Sequence, residues 1–164
     1  MFRRCKAVSR RLVLLLALVP LLALTACHQQ FGSVPHGGPA VGSGHPIAVD
    51  IRTAAHPGFD RVVFDFNGGV PAYFAEYVSA NQLVGPSGTP VSVAGTYFLR
   101  VRFTGLTTAP APLLRTPNLT EVKQVKQVED SEGVLIYGVG VSRRNAFRIF
   151  SLTAPDRVVL DVQR

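Results

Sequence analysis

The sequence predicts an all-β fold, an antiparallel β-sandwich of about seven or eight strands preceded by a signal peptide and a flexible linker. Three observations carry that expectation. From residue 46 onward, apolar residues recur with a period of two in nearly every segment. Turn formers separate the segments: Asn67-Gly68-Gly69, Gly85-Pro86-Ser87-Gly88, Ala109-Pro110-Ala111-Pro112 and Arg144-Asn145. No long stretch keeps helical spacing, so the strands have only each other to bury against. The chain has 164 residues, which fits one domain, and the stretch 46–164 is long enough for a proper core.

The first segment, 1–26, reads as a lipoprotein signal peptide. Arg3, Arg4, Lys6, Arg10 and Arg11 precede an apolar run over 12–24. That run is shorter than the roughly 20 residues a membrane span needs, and it fits the apolar centre of a secretory signal. The exit reads Leu24-Thr25-Ala26-Cys27, the pattern of a bacterial lipobox. Its chemistry needs the Cys27 thiol, which takes a diacylglyceryl group before cleavage; two or more acyl chains on one residue, palmitate among them, are enough for a stable anchor, where a single chain is marginal. The other cysteine, Cys5, lies inside the leader, so the mature chain has no internal disulfide for Cys27 to join. The predicted location is the extracytoplasmic face of the cell membrane. The stretch "SRRLVL" (9–14) resembles a twin-arginine export motif, whereas the strongly apolar run favours the general secretory route, and the sequence leaves both open.

The net charge of +7 also belongs mostly to the leader. From Cys27 onward there are 12 Lys plus Arg and 10 Asp plus Glu, a surplus of only 2. A nucleic-acid partner, which needs a concentrated basic face, is thereby excluded.

Residues 27–45 read as a flexible linker rich in Gly, Pro, Ser and His, with a random-coil reach of about 25 Å. His28, His36 and His45 fall there and His56 follows, but their spacing preorganises no metal site. No metal or other cofactor is expected.

Strands follow in order. "IAVDIRT" (47–53) places Ile47, Val49 and Ile51 on one face. "RVVFDFN" (61–67) turns Val62, Phe64 and Phe66 inward. "AYFAEYV" (72–78) sets Tyr73, Ala75 and Tyr77 against Phe74, Glu76 and Val78. "TYFLRVRFTG" (96–105) turns Tyr97, Leu99, Val101 and Phe103 inward and Arg100 and Arg102 outward. In "LTEVKQVKQVED" (119–130) a valine recurs every third residue, which fits a short helix or a bulged strand; the β preference of Val favours the strand. "GVLIYGVGVSR" (133–143) aligns Leu135, Tyr137, Val139 and Val141, with Gly138 and Gly140 on the other face where something approaches closely. "AFRIFSL" (146–152) and "DRVVLDV" (156–162) close the chain. The last segment repeats five of the seven letters of "DRVVFDF" (60–66). Two central strands forming a quasi-symmetric pair, or strand grammar recurring by chance, both account for it.

The stretches "HPGFDRVVFDFNGGVPAYFAEYV", "VAGTYFLRVRF" and "EGVLIYGVGVSRRNAFRIFSLTAPDRVVLDVQ" resemble the AMIN-like domain of lipoproteins from high-GC Gram-positive bacteria, over roughly residues 46–164. The resemblance implies a small, non-catalytic β-sandwich of the cell envelope. The resemblance implies a module of the kind that contacts peptidoglycan and places envelope enzymes, and the expectation for this sequence is a module with no enzyme domain after it.

No Gly-x-Ser-x-Gly motif or plausible base supports a hydrolase, so no catalytic residue is assigned. The candidate ligand-binding residues are Arg100 and Arg102 on one strand, Arg143, Arg144 and Arg148 about a turn, and Tyr73 and Tyr77 on another strand. Arginine forks suit carboxylates and aromatic rings suit sugars. The expected function is a lipid-anchored binding module for peptidoglycan or another cell-wall polymer; the alternative is a scaffold that docks another envelope protein.

Overall fold

The computed structural model describes residues 30–107, 110–112 and 114–164. The signal peptide, Cys27 and His28 lie outside the described residues. Ten strands form among those described: β1 (His36–Gly38), β2 (Ile47–His56), β3 (Phe59–Asn67), β4 (Ala72–Val78), β5 (Tyr97–Thr104), β6 (Leu114–Arg115), β7 (Val122–Ser131), β8 (Val134–Val141), β9 (Phe147–Leu152) and β10 (Arg157–Gln163). They build two antiparallel sheets, one in the order β1-β4-β5-β8-β7-β6 and the other β2-β3-β10-β9. All eight segments expected as strands are strands; the two additional ones are the short edge strands β1 and β6.

The alternating residues meet between the sheets. Val62, Phe64 and Phe66 of β3 and Val158, Leu160 and Val162 of β10 face Leu99, Val101 and Phe103 of β5 and Leu135, Tyr137 and Val139 of β8. Phe64, Phe103 and Tyr137 pack ring against ring, with Phe64 5.1 Å from Phe103 and 5.2 Å from Tyr137. Each such side chain contributes about 1.5–3 kcal/mol on burial, and the aromatic pairs add to that. The Tyr137 hydroxyl donates to the Pro112 carbonyl at 2.8 Å, so its polar end is not stranded in the core.

Bulges set the phase of two strands. In β7 the register shifts between Val122 and Gln124 and again between Gln127 and Glu129. The shifts keep Val122, Val125 and Val128 buried despite their three-residue spacing. In β2 a shift between Ala48 and Asp50 turns Ala48 and Ile51 inward and leaves Val49 exposed, against the alternation read from the sequence. Tyr97 departs too. As the first residue of β5 it lies at the rim and stays 42% exposed.

The repeated heptads are neighbours. β3 and β10 pair antiparallel with Val63 opposite Val159, Arg61 opposite Asp161 and Asp65 opposite Arg157. Since Val63 and Val159 are the same letter of the two heptads, a local two-fold axis passes between them. The side chains break that symmetry. Arg61 binds Asp161, while Asp65 binds Arg52 instead of Arg157.

The segment expected as a flexible linker differs most from expectation. Residues 32–41 run along the open seam between the sheets and are stitched to both. Gly32 and Phe147 exchange two backbone hydrogen bonds at 2.9 and 2.8 Å, β1 pairs with β4, and Val41 and Val70 exchange two more. The His36 ring stacks on Phe147 with centroids 4.8 Å apart. Its Nε2 accepts the Ile149 N–H at 3.1 Å while Nδ1 lies 2.9 Å from the Val34 carbonyl. In this arrangement Nε2 is the acceptor and Nδ1 is placed to donate. Gly, Pro and His at these positions therefore serve close packing as well as turns: a Cβ on Gly37 would collide with the Tyr73 carbonyl.

On the outer side of the six-stranded sheet, the excursion 79–96 folds over β8. Leu83, Val93 and Val128 form a second small core there. Gly138 and Gly140 make room for it, as their position in the sequence suggested: a Cβ on Gly140 would strike the Ala94 carbonyl, and one on Gly138 would lie 2.9 Å from Val93 Cγ2. Gly140→Ala is therefore expected to destabilise the domain by about 1–3 kcal/mol, while Gly32→Ala, whose Cβ would meet nothing within 4 Å, changes little. Urea unfolding followed by circular dichroism separates the two.

Candidate functional site

Each sheet shows a face to solvent, and the faces differ in chemistry. On the four-stranded sheet, Asp161 is fully buried although it points away from the core. Arg61 Nε and Nη2 donate to its two oxygens at 2.6 and 2.8 Å, and Arg148 Nε donates to Oδ2 at 2.8 Å. Bonding to Asp161 holds the Arg61 guanidinium above its ordinary pKa against the opposing effect of burial. Aromatic rings wall the cluster: Arg148 lies 4.6 Å over Phe31 and 5.3 Å over Phe59, and Arg61 5.2 Å over Phe59.

Beside this cluster runs a groove of about 840 Å³ with Val63 and Val159 in its floor. Most of its cations are already matched. Arg52 binds Asp65 through two bonds of 2.5 and 2.6 Å, and Arg115 binds Asp50. Arg157 is the exception, since it donates to the Pro155 carbonyl at 2.8 Å.

On the six-stranded sheet, the half not covered by 79–96 holds a groove of about 390 Å³. Phe74 stands in it 41% exposed. Arg102 is its cross-strand partner, and Ile136 of β8 is the partner of Arg102 on the other side. Two residue pairs along, on the same face, Arg100 bonds Glu76 through both Nε and Nη2. Arg102 has no carboxylate partner among the described residues. An exposed ring beside an uncommitted guanidinium, over an apolar floor of Ile136 and Val134, offers a flat stacking surface and a two-pronged anion fork within one groove.

The sequence-derived candidates separate on the structure. Arg100 and Arg102 do lie together on β5 and line this groove, Arg100 committed to Glu76 and Arg102 not. Tyr73 does not share a ligand face. Its ring is in the main core, 7% exposed, because β4 turns its odd-numbered residues inward. Tyr77 follows the same phase but lies near the rim, half-buried, and packs on Phe147 at 5.7 Å. Its hydroxyl donates to the Asn145 carbonyl at 2.7 Å. Burial, with the nearby Glu121 charge, pushes its pKa up to about 12 against the opposing Arg144 cation and the Asn145 bond.

Arg144 lies 4.7 Å over the Tyr77 ring, at a hollow of about 300 Å³ that also takes in Tyr97. Arg143 bonds the buried Glu121 carboxylate instead, which raises its pKa. Arg148, read as part of the same turn cluster, belongs to the opposite sheet with Asp161. The sequence reading missed Phe74 as a site residue, because alternation gives two faces without saying which is covered.

Asp60 is fully buried too, like Glu121 and Asp161. It plugs the sandwich end, accepting the Glu121 and Val122 N–H groups at 2.6 and 3.1 Å and two bonds from Arg164. Burial pushes its pKa up, but the Glu121 N–H, the Arg164 guanidinium and the Val122 N–H together outweigh burial and hold it below the ordinary value. Among the described residues, no three His, Cys, Asp or Glu side chains group so as to hold a metal ion.

The fold and its faces define a class: a two-sheet antiparallel module with a small aromatic–arginine groove on one side and an arginine-rimmed groove on the other. The family model of the AMIN-like domain matches residues 46–164, and the chain belongs to that family. No curated protein and no solved structure matched the chain.

Removing the Asp161 charge leaves two guanidiniums facing each other, so Asp161→Asn is expected to cost about 3–5 kcal/mol, read as a lower urea midpoint at neutral pH. For Asp60 the depressed folded pKa means a stabilising contribution that is full above the ordinary carboxylate value of about 4 and lost as pH falls through the folded value. Asp60→Asn should thus lower stability at pH 7 and flatten its decline in acid, measured by urea midpoints across the acid range.

Proposed function

We propose that this protein is a non-catalytic, lipid-anchored binding module on the extracytoplasmic face of the cell membrane. Its ligand is an acidic cell-wall polymer such as peptidoglycan, bound in the groove of the six-stranded sheet. Membership in the AMIN-like family supports a cell-wall-related role. The observation that carries the choice of groove is Phe74, exposed next to Arg102. A sugar ring stacks on the phenyl face while a peptide or lactyl carboxylate takes the fork of Arg102. Arg100 orients Glu76 at the groove wall and leaves Arg102 as the free cation.

The non-catalytic reading is supported by the histidines. His36 is committed to Ile149 and Phe147, His56 stacks on Phe59 at 4.9 Å, and His45 stands in solvent. Among the described residues, none of these three rings is hydrogen-bonded to a serine or threonine hydroxyl, which is the arrangement a nucleophile requires.

A second reading, a scaffold that docks another envelope protein, is favoured by one feature. The excursion 79–96 presents an apolar hollow of about 410 Å³ lined by Leu83, Pro90, Val91, Val93 and Phe98.

Co-sedimentation of the detergent-solubilised protein with purified cell wall tests the two readings. Arg102→Ala and Phe74→Ala are each expected to weaken wall binding. For Arg102 the loss of a charged hydrogen bond corresponds to about 1.5–3 kcal/mol, roughly ten- to a hundredfold in affinity. Arg157→Ala, on the opposite face, should leave wall binding unchanged. Loss of binding with Arg157→Ala but not with Arg102→Ala would place the ligand on the other sheet. Absence of wall binding by the unaltered protein, with a second protein co-purifying through the 79–96 hollow, would favour the scaffold.

A further inference from the structure

We infer that the outer face of the four-stranded sheet lies against the membrane, with anionic lipid headgroups as its partner, so that the six-stranded sheet faces the wall. This rests on the reading of Cys27 as the acylated anchor.

Tether length carries the first part of the argument. If the linker were free to residue 46, the domain could tumble about 25 Å from the bilayer in any orientation. Yet the chain is already fixed at Gly32, by its paired hydrogen bonds to Phe147. Phe31 is seated as well, 5.9 Å from Phe59 and under the Arg148 guanidinium. Four Cα steps separate Cys27 from Phe31, at most about 15 Å when fully extended. A diacylglyceryl group at Cys27 therefore enters the bilayer within that distance of Phe31.

Position decides which face comes down. Phe31 rests on side chains that project outward from β3 and β9, so the anchor leaves the domain over the four-stranded sheet. The six-stranded sheet is a further 10 Å or so away through the core, and its outer groove is turned from the bilayer.

The face that comes down suits an anionic surface. Its strands carry Arg52, Arg61, Arg148 and Arg157 outward against Asp50, Asp65 and Asp161, a surplus of one positive charge (four minus three), and Arg115, which reaches the same groove to bind Asp50, brings the surplus of the face to two. Arg157 and the half-exposed Arg52 reach beyond the buried Asp161 cluster. Phe31, Phe59 and His56 supply aromatic rings at the level where headgroups meet acyl chains. Arginines near an anionic leaflet are attracted to it and lose that attraction with salt.

The test uses full-length protein purified from membranes, its intact mass reporting whether Cys27 carries the diacylglyceryl group. An environment-sensitive thiol probe is placed by Ala54→Cys on the four-stranded face, opposite Arg61, or by Thr104→Cys on the far face. The protein is reconstituted in vesicles of phosphatidylcholine and phosphatidylglycerol containing nitroxide-labelled lipid. Severalfold stronger quenching at position 54 than at 104 is expected, with the difference reduced in phosphatidylcholine alone and by Arg157→Glu. Equal quenching at the two positions in diacylated protein, or stronger quenching at 104, would overturn the inference and leave the anchor standing. Quenching indifferent to phosphatidylglycerol and to Arg157→Glu would overturn the headgroup attraction. An unmodified Cys27 in the intact mass would remove the anchor reading and this inference with it.

Discussion

The carboxylate of Asp161 is the constraint around which one half of the molecule is arranged. Taking a charge out of water costs several kcal/mol, and only close, well-aligned counter-charges offset it. Two arginines do so here, one from β3 and one from β9, on either side of β10. Three of the four strands of that sheet are thereby pinned at one height. The guanidinium faces not used for hydrogen bonding then become platforms for Phe31, Phe59 and Phe150. A single buried acid thus fixes strand register, gathers an aromatic patch and gives the segment around Phe31 its landing place.

The same chain deals with its sheet edges in an economical way. An open edge offers unpaired N–H and C=O groups to any other chain. β4 is covered by the three residues of β1 and β7 by the two of β6. β9 is covered by Gly32 and by the His36 ring on the Ile149 N–H. On β2, the Ile51 carbonyl is taken by Arg115 and the neighbouring Pro46 carbonyl by the Thr107 N–H. Each cover is short or irregular, so none passes the problem outward as a new long edge.

Much of the sandwich was legible in the sequence because a two-residue period has one physical meaning. Val62, Phe64 and Phe66 can share a face only in a strand, and three-residue valine spacing in 122–128 can be buried only if the strand bulges. Gly138 and Gly140 announced a close neighbour, and Ala94 and Val93 are there. What stayed hidden depends on partners far away in the chain. His36 acquires its role from Ile149, 113 positions later, and nothing in a Gly- and Pro-rich stretch signals that. β1 and β6 exist through backbone pairing, which leaves no side-chain pattern. For the candidate site, the outward phase of Arg100 and Arg102 could be read from their own strand. Whether Tyr73 or Phe74 faces the outer groove could not, because that depends on which side of β4 the second sheet covers. Arg148 was read with Arg143 and Arg144 because they are close in sequence, yet β9 carries it to the other sheet.

The stitched segment also changes what a protease can do to the molecule. In a loose tether one cut frees the globular part from whatever holds its amino end. Between Gly32 and Val41 a cut leaves both new ends still bonded, the upstream one to Phe147 and the downstream one to β4 and Val70. Shedding by a nick in this stretch would first require the seam to be peeled open, so the segment acts as a clasp that survives being severed.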